Sequence, residues 1–327
     1  MTKLVTIYGG AGFLGRYIAR RMAKEGWRVR VATRRPNDAI FVRPYGVVGQ
    51  VEPVLCNVRD DNSVRAAMSG ADVVVNCTGT FDKAGKNNFD AIHVEGASRI
   101  ARIAAEDGIG QMVHVSAIGA DAEGNSLYAK SKAEGEAAVL EHMPNAMILR
   151  PSVMFGPGDQ FFNRFASMTR FGPILPVVGG NTKFQTVYVD DVAQAAVKGI
   201  LGDAEGGTYE LGGPDAESFA DLMKLMLKTI HRRRLVLNTP FPIAALMGAS
   251  FDLLNKMSLG LVPAMVTRDQ VRSLQNDNVV SDGAKTFADL GMKPTSVEVI
   301  LPEYLWRFRP SGQYDAIKES ARNLRAH

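Results

Sequence analysis

The first half of the chain alternates between two rhythms of apolar and polar positions. Leu4–Tyr8 is a short apolar run. Phe13–Glu25 then carries Leu14, Ile18 and Met22 at i, i+4 and i+8, with arginines between them. That spacing gathers the apolar residues on one face of a helix and leaves the arginines on the other. Arg28–Ala32, Val54–Cys56, Asp72–Cys77, Gln111–Val115 and Ala146–Leu149 read as further strands, and Asn88–Glu106 and Ser126–His142 as further helices. Short Val-rich strands alternating with helices predict an α/β fold, a doubly wound parallel sheet covered on both faces.

After Arg150-Pro151 the rhythm loosens. Phe155-Gly156-Pro157-Gly158, Gly172-Pro173 and Gly179-Gly180 punctuate the chain. Strands are expected near 185–189 and 208–211, and helices near 190–201 and 219–230. The 327 residues suit one large domain with a smaller lobe. The expected division is a nucleotide-binding domain over 1–150, a smaller C-terminal α/β lobe over 151–309 interleaved with it, and a polar tail over 310–327, where Tyr314–Arg325 suits a terminal helix.

Composition narrows the classes. An apolar share of 46% with 22% charged residues excludes a disordered or fibrous chain. Met1-Thr2-Lys3 leads straight into the first strand, so no signal peptide is expected. No apolar run reaches the ~18 residues a spanning helix needs. The uncharged stretch from Leu235 to Phe251 contains Pro240 and Pro242 and reads as a buried or surface-lying segment. Cys56 and Cys77 both end strand-like runs, which fits a reducing compartment better than a disulfide framework. The five histidines sit at no metal-ligand spacing, so no metal is expected.

Net charge is +4, and the cations cluster at Arg16, Arg20, Arg21, Lys24, Arg28, Arg30, Arg34 and Arg35, and again at Arg232-Arg233-Arg234. Solvated helix faces, a polyanionic cofactor, and an anionic membrane or protein surface each fit this pattern. No nucleic-acid-binding motif accompanies it.

The first strand opens into Gly9-Gly10-Ala11-Gly12-Phe13-Leu14-Gly15, with glycines at Gly-x-x-Gly-x-x-Gly spacing. Gly9 allows a tight turn, Gly12 lets backbone N–H groups approach a pyrophosphate, and Gly15 lets the helix pack on the strand. The helix N-terminus adds partial positive charge and free N–H groups. Position between a strand and an amphipathic helix gives the motif its weight. An NAD-selective site carries a carboxylate at the end of the second strand for the ribose 2′-hydroxyl. Here Thr33-Arg34-Arg35 stands in that place. Guanidinium pairs bidentately with phosphate, so the expected cofactor is NADP(H), with NADPH favoured, held by Arg34 and Arg35.

These residues resemble the short-chain dehydrogenase/reductase superfamily, and further pieces resemble its extended or atypical branch with a Rossmann core. Asn76-Cys77-Thr78-Gly79 ends the fourth strand, where the family wraps the adenosine side of the cofactor. Tyr128-Ala129-Lys130-Ser131-Lys132 is its Tyr-x-x-x-Lys signature, and Arg150-Pro151-Ser152-Val153-Met154-Phe155-Gly156-Pro157 resembles its nicotinamide-pocket segment. Val187-Tyr188-Val189-Asp190-Asp191-Val192-Ala193 and Leu290-Gly291 with Pro294 match its late joints. Phe161–Met168, Arg170-Phe171-Gly172-Pro173 and Thr267-Arg268-Asp269-Gln270-Val271 resemble the NADPH-binding accessory subunits of respiratory complex I.

The resemblance implies a cofactor set of Gly9, Gly12, Phe13, Leu14, Gly15, Arg34, Arg35, Asn57, Val58, Cys77, Thr78, Gly79, Ser116, Tyr128, Lys132, Pro151, Ser152 and Val153. In an active member Tyr128 is the acid/base and Lys132, one helical turn on, binds ribose and lowers the tyrosine pKa. The loop Val115-Ser116-Ala117-Ile118-Gly119 departs from the pattern, because Ala117 stands where the second hydroxyl residue is catalytic. Asn57 replaces the usual acid after the third strand, and Glu95 stands where a helix asparagine is common.

Two readings follow. One is a catalytically quiet NADP(H)-binding accessory subunit of complex I. It would support assembly or stability, contact peripheral-arm and membrane-arm subunits and a lipid surface, and lie peripherally on the cytoplasmic face of the inner membrane, or on the matrix side in a mitochondrion. The apolar positions Phe241, Ile243, Leu246, Met247, Phe251 and Leu254 then face a partner, lipid or the lobe's own core. The other is an active NADP-dependent reductase, epimerase or dehydratase using Tyr128 and Lys132. The departures favour the first.

Overall fold

In the computed structural model the described residues are 2–82, 84–170, 172–239, 269, 272, 274–310 and 312–314. In chain order they form β1 (Leu4–Tyr8), α1 (Phe13–Lys24), β2 (Arg28–Thr33), β3 (Val51–Leu55), α2 (Asp61–Met68), β4 (Val73–Asn76), α3 (Glu95–Glu106), β5 (Met112–Val115), α4 (Leu127–His142) and β6 (Met147–Pro151). There follow β7 (Met154–Phe155), α5 (Phe162–Met168), β8 (Ile174–Val178), β9 (Lys183–Phe184), β10 (Val187–Tyr188), α6 (Val189–Leu201), β11 (Gly207–Leu211), β12 (Glu217–Ser218), α7 (Phe219–Thr229), β13 (Leu235–Thr239) and α8 (Val297–Leu305).

Two compact units emerge. One takes the residues up to Ser152, then Val189–Gly212 and Val280–Pro294. It carries a seven-stranded sheet in the order β11-β6-β5-β4-β1-β2-β3, with every neighbouring pair parallel. All five residues of β1 are buried, as expected of a central strand with helices on both faces. The doubly wound α/β expectation therefore holds. Strand order runs outward from β1 to β2 and β3, then restarts on its other side with β4. The carboxyl ends of β1 and β4 thus flank the topological switch point, where such sheets bind ligands.

The second unit takes Val153–Tyr188 and the described parts of 213–279 and 295–327. Its core joins Phe155, Phe162, Phe184 and Phe219 to Met223, Met226, Leu301 and Leu305, all buried. Each such side chain contributes about 1.5–3 kcal/mol by leaving water. Phe161 stacks on Phe219 at 5.6 Å, and Asp159 anchors the turn before α5 by accepting from Gly156 N at 3.2 Å and Tyr304 Oη at 2.5 Å.

Several elements differ from the pattern reading. The expected helix over 88–106 begins as a π turn at Asp90–Val94 before α3. The third strand is Val51–Leu55 rather than 54–56, displaced toward its N-terminus by pairing with β2 in the register Val29↔Val51. Helix α2 was not signalled. It is only eight residues long, and Asp60 caps it by accepting from Ser63 N. Of the uncharged stretch from Leu235, the first five residues form β13, paired in parallel with β8. The positions 241–254, residues 267, 268, 270 and 271 and Phe171 lie outside the described residues, as does the expected tail helix beyond Tyr314. No helix among the described residues is long and apolar enough to cross a membrane.

Candidate functional site

The phosphate cradle sits on the carboxyl end of β1. Gly9 has φ +74°, and a Cβ there would stand 2.8 Å from the carbonyl oxygen of Cys77 on the neighbouring strand end. Only glycine suits both the turn and the close approach. A Cβ on Gly15 would meet Gly9 O at 2.5 Å and Gly10 Cα at 2.6 Å, so this glycine sets how tightly α1 packs on the turn. Gly12 N–H donates to Gly9 O at 2.8 Å, and Gly12 is the N-cap of α1 without a side-chain cap. The first-turn N–H groups, from Phe13 to Gly15, therefore have no intrahelical partner. No acidic residue lies in that turn. A pyrophosphate fits such an end.

Arg34 and Arg35 leave the carboxyl end of β2, the strand beside β1. Both are exposed, and Arg34 makes no hydrogen bond or ion pair among the described residues. Arg35 lies 3.8 Å from Asp38 in a solvent-exposed pair. Asn57 and Val58 follow β3. Asn57 N–H donates to Ser63 Oγ at 2.9 Å and its Oδ1 accepts from Arg59 N at 3.2 Å, which fixes this loop.

Cys77, Thr78 and Gly79 continue from β4. Buried Asn76 shapes their turn: its Oδ1 accepts from Thr78 N at 3.0 Å and Thr78 Oγ1 at 2.6 Å. Burial pushes the Cys77 thiol up to about 12, so it stays protonated.

Tyr128 and Lys132 share α4, whose N-cap Ser126 accepts from Ala129 N at 3.1 Å. Lys132 is buried and donates to Val115 O at 3.2 Å; burial lowers its ammonium to about 8. Burial pushes the Tyr128 phenol up to about 12. The phenol is walled by aromatics: Phe81 stacks on it at 5.6 Å, and Phe89 and His93 meet it edge-on at 6.0 and 5.7 Å. Ser116 Oγ is buried with no hydrogen-bond partner among the described residues, while the adjoining Ala117 presents a methyl. A polar ligand group would satisfy that hydroxyl. Pro151 ends β6 and accepts from Ile118 N at 3.1 Å, and Ser152 N–H donates to Leu211 O at 3.0 Å. Val153 opens the second unit, its N–H on Asn278 Oδ1 at 3.2 Å. Thus the first unit carries the expected residues from Gly9 to Ser152 at or just beyond the carboxyl ends of β1 to β6 and on the first turns of α1 and α4.

Pattern reading missed His93, Phe81 and Phe89. His93 Nε2 accepts from Thr80 N at 3.0 Å, so the proton of the neutral ring sits on Nδ1, 2.9 Å from Ser131 Oγ. Ser131 Oγ in turn donates to Tyr128 O at 2.9 Å. One imidazole therefore ties the loop bearing Phe81 to the helix turn bearing Tyr128. A lone histidine inside a helix pattern gives no signal of this, since the π turn that aims it has no periodicity of its own.

His93 and His114 are both buried and held neutral, with pKa values lowered from 6.5 to about 3 by burial and by nearby Lys132. Unfolding frees both rings to take a proton, so below pH 6.5 the unfolded chain binds more protons than the folded one. Stability then falls as pH drops, by up to about 1.4 kcal/mol per pH unit for each ring. Chemical denaturation between pH 7 and 4.5 is expected to show this slope, and His114→Gln to reduce it by about half. An unchanged slope in that variant would remove His114 as a cause of acid lability.

Residues 5–212 match the NAD dependent epimerase/dehydratase family. The chain is 36% identical to the Arabidopsis thaliana NADH dehydrogenase (ubiquinone) 1 alpha subcomplex subunit 9, mitochondrial, over 94% of this chain and 79% of that protein. It is 31% identical to the Neurospora crassa NADH-ubiquinone oxidoreductase 40 kDa subunit, mitochondrial, over 95% of this chain and 80% of that one. The fold is similar to the Thermus thermophilus UDP-glucose 4-epimerase solved with NAD, at a TM-score of 0.66 and 18% identity, over 94% and 99% of the two chains.

Proposed function

This chain belongs to the NAD dependent epimerase/dehydratase family, and on that footing we propose that it is a nucleotide-holding accessory subunit of NADH:ubiquinone oxidoreductase that does not turn its nucleotide over. The observation that carries the reading is the pairing of an intact cradle with a disarmed reaction centre. Gly9, Gly12 and Gly15 keep the geometry a pyrophosphate needs. Tyr128 meanwhile lies under Phe81 with its phenol pushed up to about 12, and Ala117 supplies no hydroxyl beside it. A general acid works best with a pKa near the working pH, and this phenol is moved away from it. Kinship with the plant and fungal subunits over nearly the whole chain supports the choice of complex.

Within this reading the nucleotide is NADP(H). Phe13, Leu14 and Gly15 present N–H groups to the pyrophosphate, and Arg34 and Arg35 hold the 2′-phosphate. Asn57, Val58, Cys77, Thr78 and Gly79 border the adenosine. Ser116, Lys132, Pro151, Ser152 and Val153 serve the nicotinamide half, with Lys132 donating to ribose hydroxyls. A bound nicotinamide would bring the capacity for hydride transfer, and the aromatic wall and missing hydroxyl leave no carbonyl substrate oriented to receive it. The subunit would sit peripherally on the membrane, against peripheral-arm and membrane-arm subunits.

The test is native electrophoresis of gently solubilised membranes, with detection of this chain across the gel. Migration with the NADH-oxidising complex is expected, and migration as a small free species would overturn the assignment. Tyr128→Phe should leave both the co-migration and the nucleotide content unchanged. Turnover of NADPH with a carbonyl panel, abolished by that substitution, would instead establish the reductase reading.

A further inference from the structure

The second unit gathers positive charge where the site described above makes no use of it. Helix α7 ends at Thr229, and His231 turns the chain at φ +54°. The N–H groups of His231 and Arg232 donate to Lys228 O and Leu227 O at 3.1 and 3.0 Å, closing the helix end. Arg232, Arg233 and Arg234 then leave in succession toward β13. With Lys224 and Lys228 they line an open cavity of about 540 Å³ over Leu227 and Leu235.

The guanidiniums are held in place by their inner nitrogens. Arg232 Nε donates to Phe308 O at 2.8 Å and Arg234 Nε to Thr169 O at 3.0 Å. Arg170 lies over the Phe308 ring at 5.1 Å. Lys224 pairs with Asp221 at 2.8 Å. Among the described residues Lys228, Arg232, Arg233 and Arg234 pair with no carboxylate. Burial lowers the pKa of Arg232, and Arg234 and Arg170 lower it further by repulsion.

A solvated charged face keeps its cations apart or intersperses acids. Here four cations with no carboxylate partner among the described residues are crowded along one cavity wall, with Arg232 and Arg234 fastened to carbonyls through Nε and Arg234 also through Nη1, which donates to Arg233 O at 2.9 Å. Guanidiniums arranged this way suit phosphate oxygens, which accept two parallel hydrogen bonds from each. The neighbourhood is also apolar. Leu235 is 62% exposed and its register partner on β8, Ile174, is 48% exposed.

We propose that this cavity is a binding site for phosphate esters. Two sources offer that chemistry, a phospholipid headgroup and a free phosphorylated molecule, and the exposed leucine and isoleucine beside the arginines suit the first. The site shares no residue with the nucleotide cradle, so its failure would leave the accessory-subunit reading untouched, and the reverse also holds.

The test uses the full chain saturated with NADP(H), so that the cradle is filled. Sedimentation with phosphatidylcholine vesicles is compared with and without phosphatidylglycerol, and calorimetry is run with inorganic pyrophosphate. Lys228 and Arg233 are exposed and make no side-chain bond among the described residues, so K228E/R233E reverses charge without breaking a described contact. K86E/K293E makes the same net change at two other exposed lysines. Binding to the anionic vesicles is expected to weaken at least about 10-fold in K228E/R233E and to persist in the control. Pyrophosphate binding lost in K228E/R233E, with weak vesicle binding throughout, would assign the site to a free phosphate. Absence of both kinds of binding, or equal binding by the two double variants, would overturn the proposal.

Discussion

Replacing Gly12 by valine is expected to abolish binding of NADP(H) and NAD(H) alike while the fold survives. The reason lies in what a side chain at this position would meet. A Cβ on Gly12 meets one protein atom within 4 Å, Gly9 O at 3.0 Å, which must give by a few tenths of an ångström. Beyond it lies the open N-terminus of α1, whose unpaired N–H groups are the ones proposed to hold the pyrophosphate. A branched side chain there holds the pyrophosphate away from them. Hydrogen bonds to a charged group contribute about 1.5–3 kcal/mol each, so losing two weakens binding by at least about 100-fold. Titration of nucleotide fluorescence, run beside a thermal melt, separates binding from folding. Gly15→Val is the contrasting variant. Its Cβ would sit 2.5 Å from Gly9 O and 2.6 Å from Gly10 Cα, so the melt itself should fall. Normal nucleotide affinity in Gly12→Val would mean that the phosphates do not lie over α1.

Much of this site is visible in the chain because it is built from local pattern. Leu14, Ile18 and Met22 become the buried face of α1, and the glycines before them fall on the turn where backbones crowd. Tyr128 and Lys132 are picked out by their resemblance to the family's Tyr-x-x-x-Lys signature, and their spacing of four residues places them one helical turn apart. What stayed hidden depends on contacts between distant segments. His93 acts through Thr80 and Ser131, on two other segments. Phe81 lies in a loop that no periodicity marks, and its importance comes from the ring it covers. Helix α2 is only eight residues long, with a single short apolar stripe of Val64, Ala67 and Met68 and an Asp60 cap. Nor does alternation of strand and helix reveal that 189–212 and 280–294 return to the first unit, because membership of a unit is decided by pairings such as β11 with β6.

The proposed quiet centre and the cradle rest on different kinds of residue. The cradle rests on a turn at Gly9 whose φ of +74° suits glycine and on a close approach at Gly15 that leaves no room for a Cβ, with Gly12 at the N-terminus of α1 between them. The reaction centre rests on side-chain hydroxyls and on a tyrosine open to a substrate; here Ala117 lacks the hydroxyl and Phe81 and Phe89 close on the ring. Retained Lys132 fits both roles, because a lysine that binds ribose holds a nucleotide whether or not chemistry follows. A nucleotide kept without turnover acts on the protein through mass action, stabilising the folded form that binds it.

Selection of the nucleotide is the sharpest consequence. Arg34→Asp combined with Arg35→Ala is expected to move the ratio of NADP to NAD affinity by about 1,000-fold. Two charge-assisted contacts to the 2′-phosphate contribute about 1.5–3 kcal/mol each, and about 4 kcal/mol in total corresponds to that ratio. Neither arginine is committed elsewhere in a way that opposes this role. Arg34 has no partner among the described residues, and the Arg35–Asp38 pair at 3.8 Å is exposed, which makes it worth less than about 1 kcal/mol. The new carboxylate would repel the 2′-phosphate and accept from the 2′-hydroxyl of NAD, so NAD binding should hold or improve while NADP binding collapses. Dissociation constants for both nucleotides, measured on the same preparation, read the ratio directly. A ratio left unmoved would show that Arg34 and Arg35 are solvent-facing cations, and selection between the two nucleotides would then have to come from elsewhere, such as the loop of Asn57 and Val58 after β3.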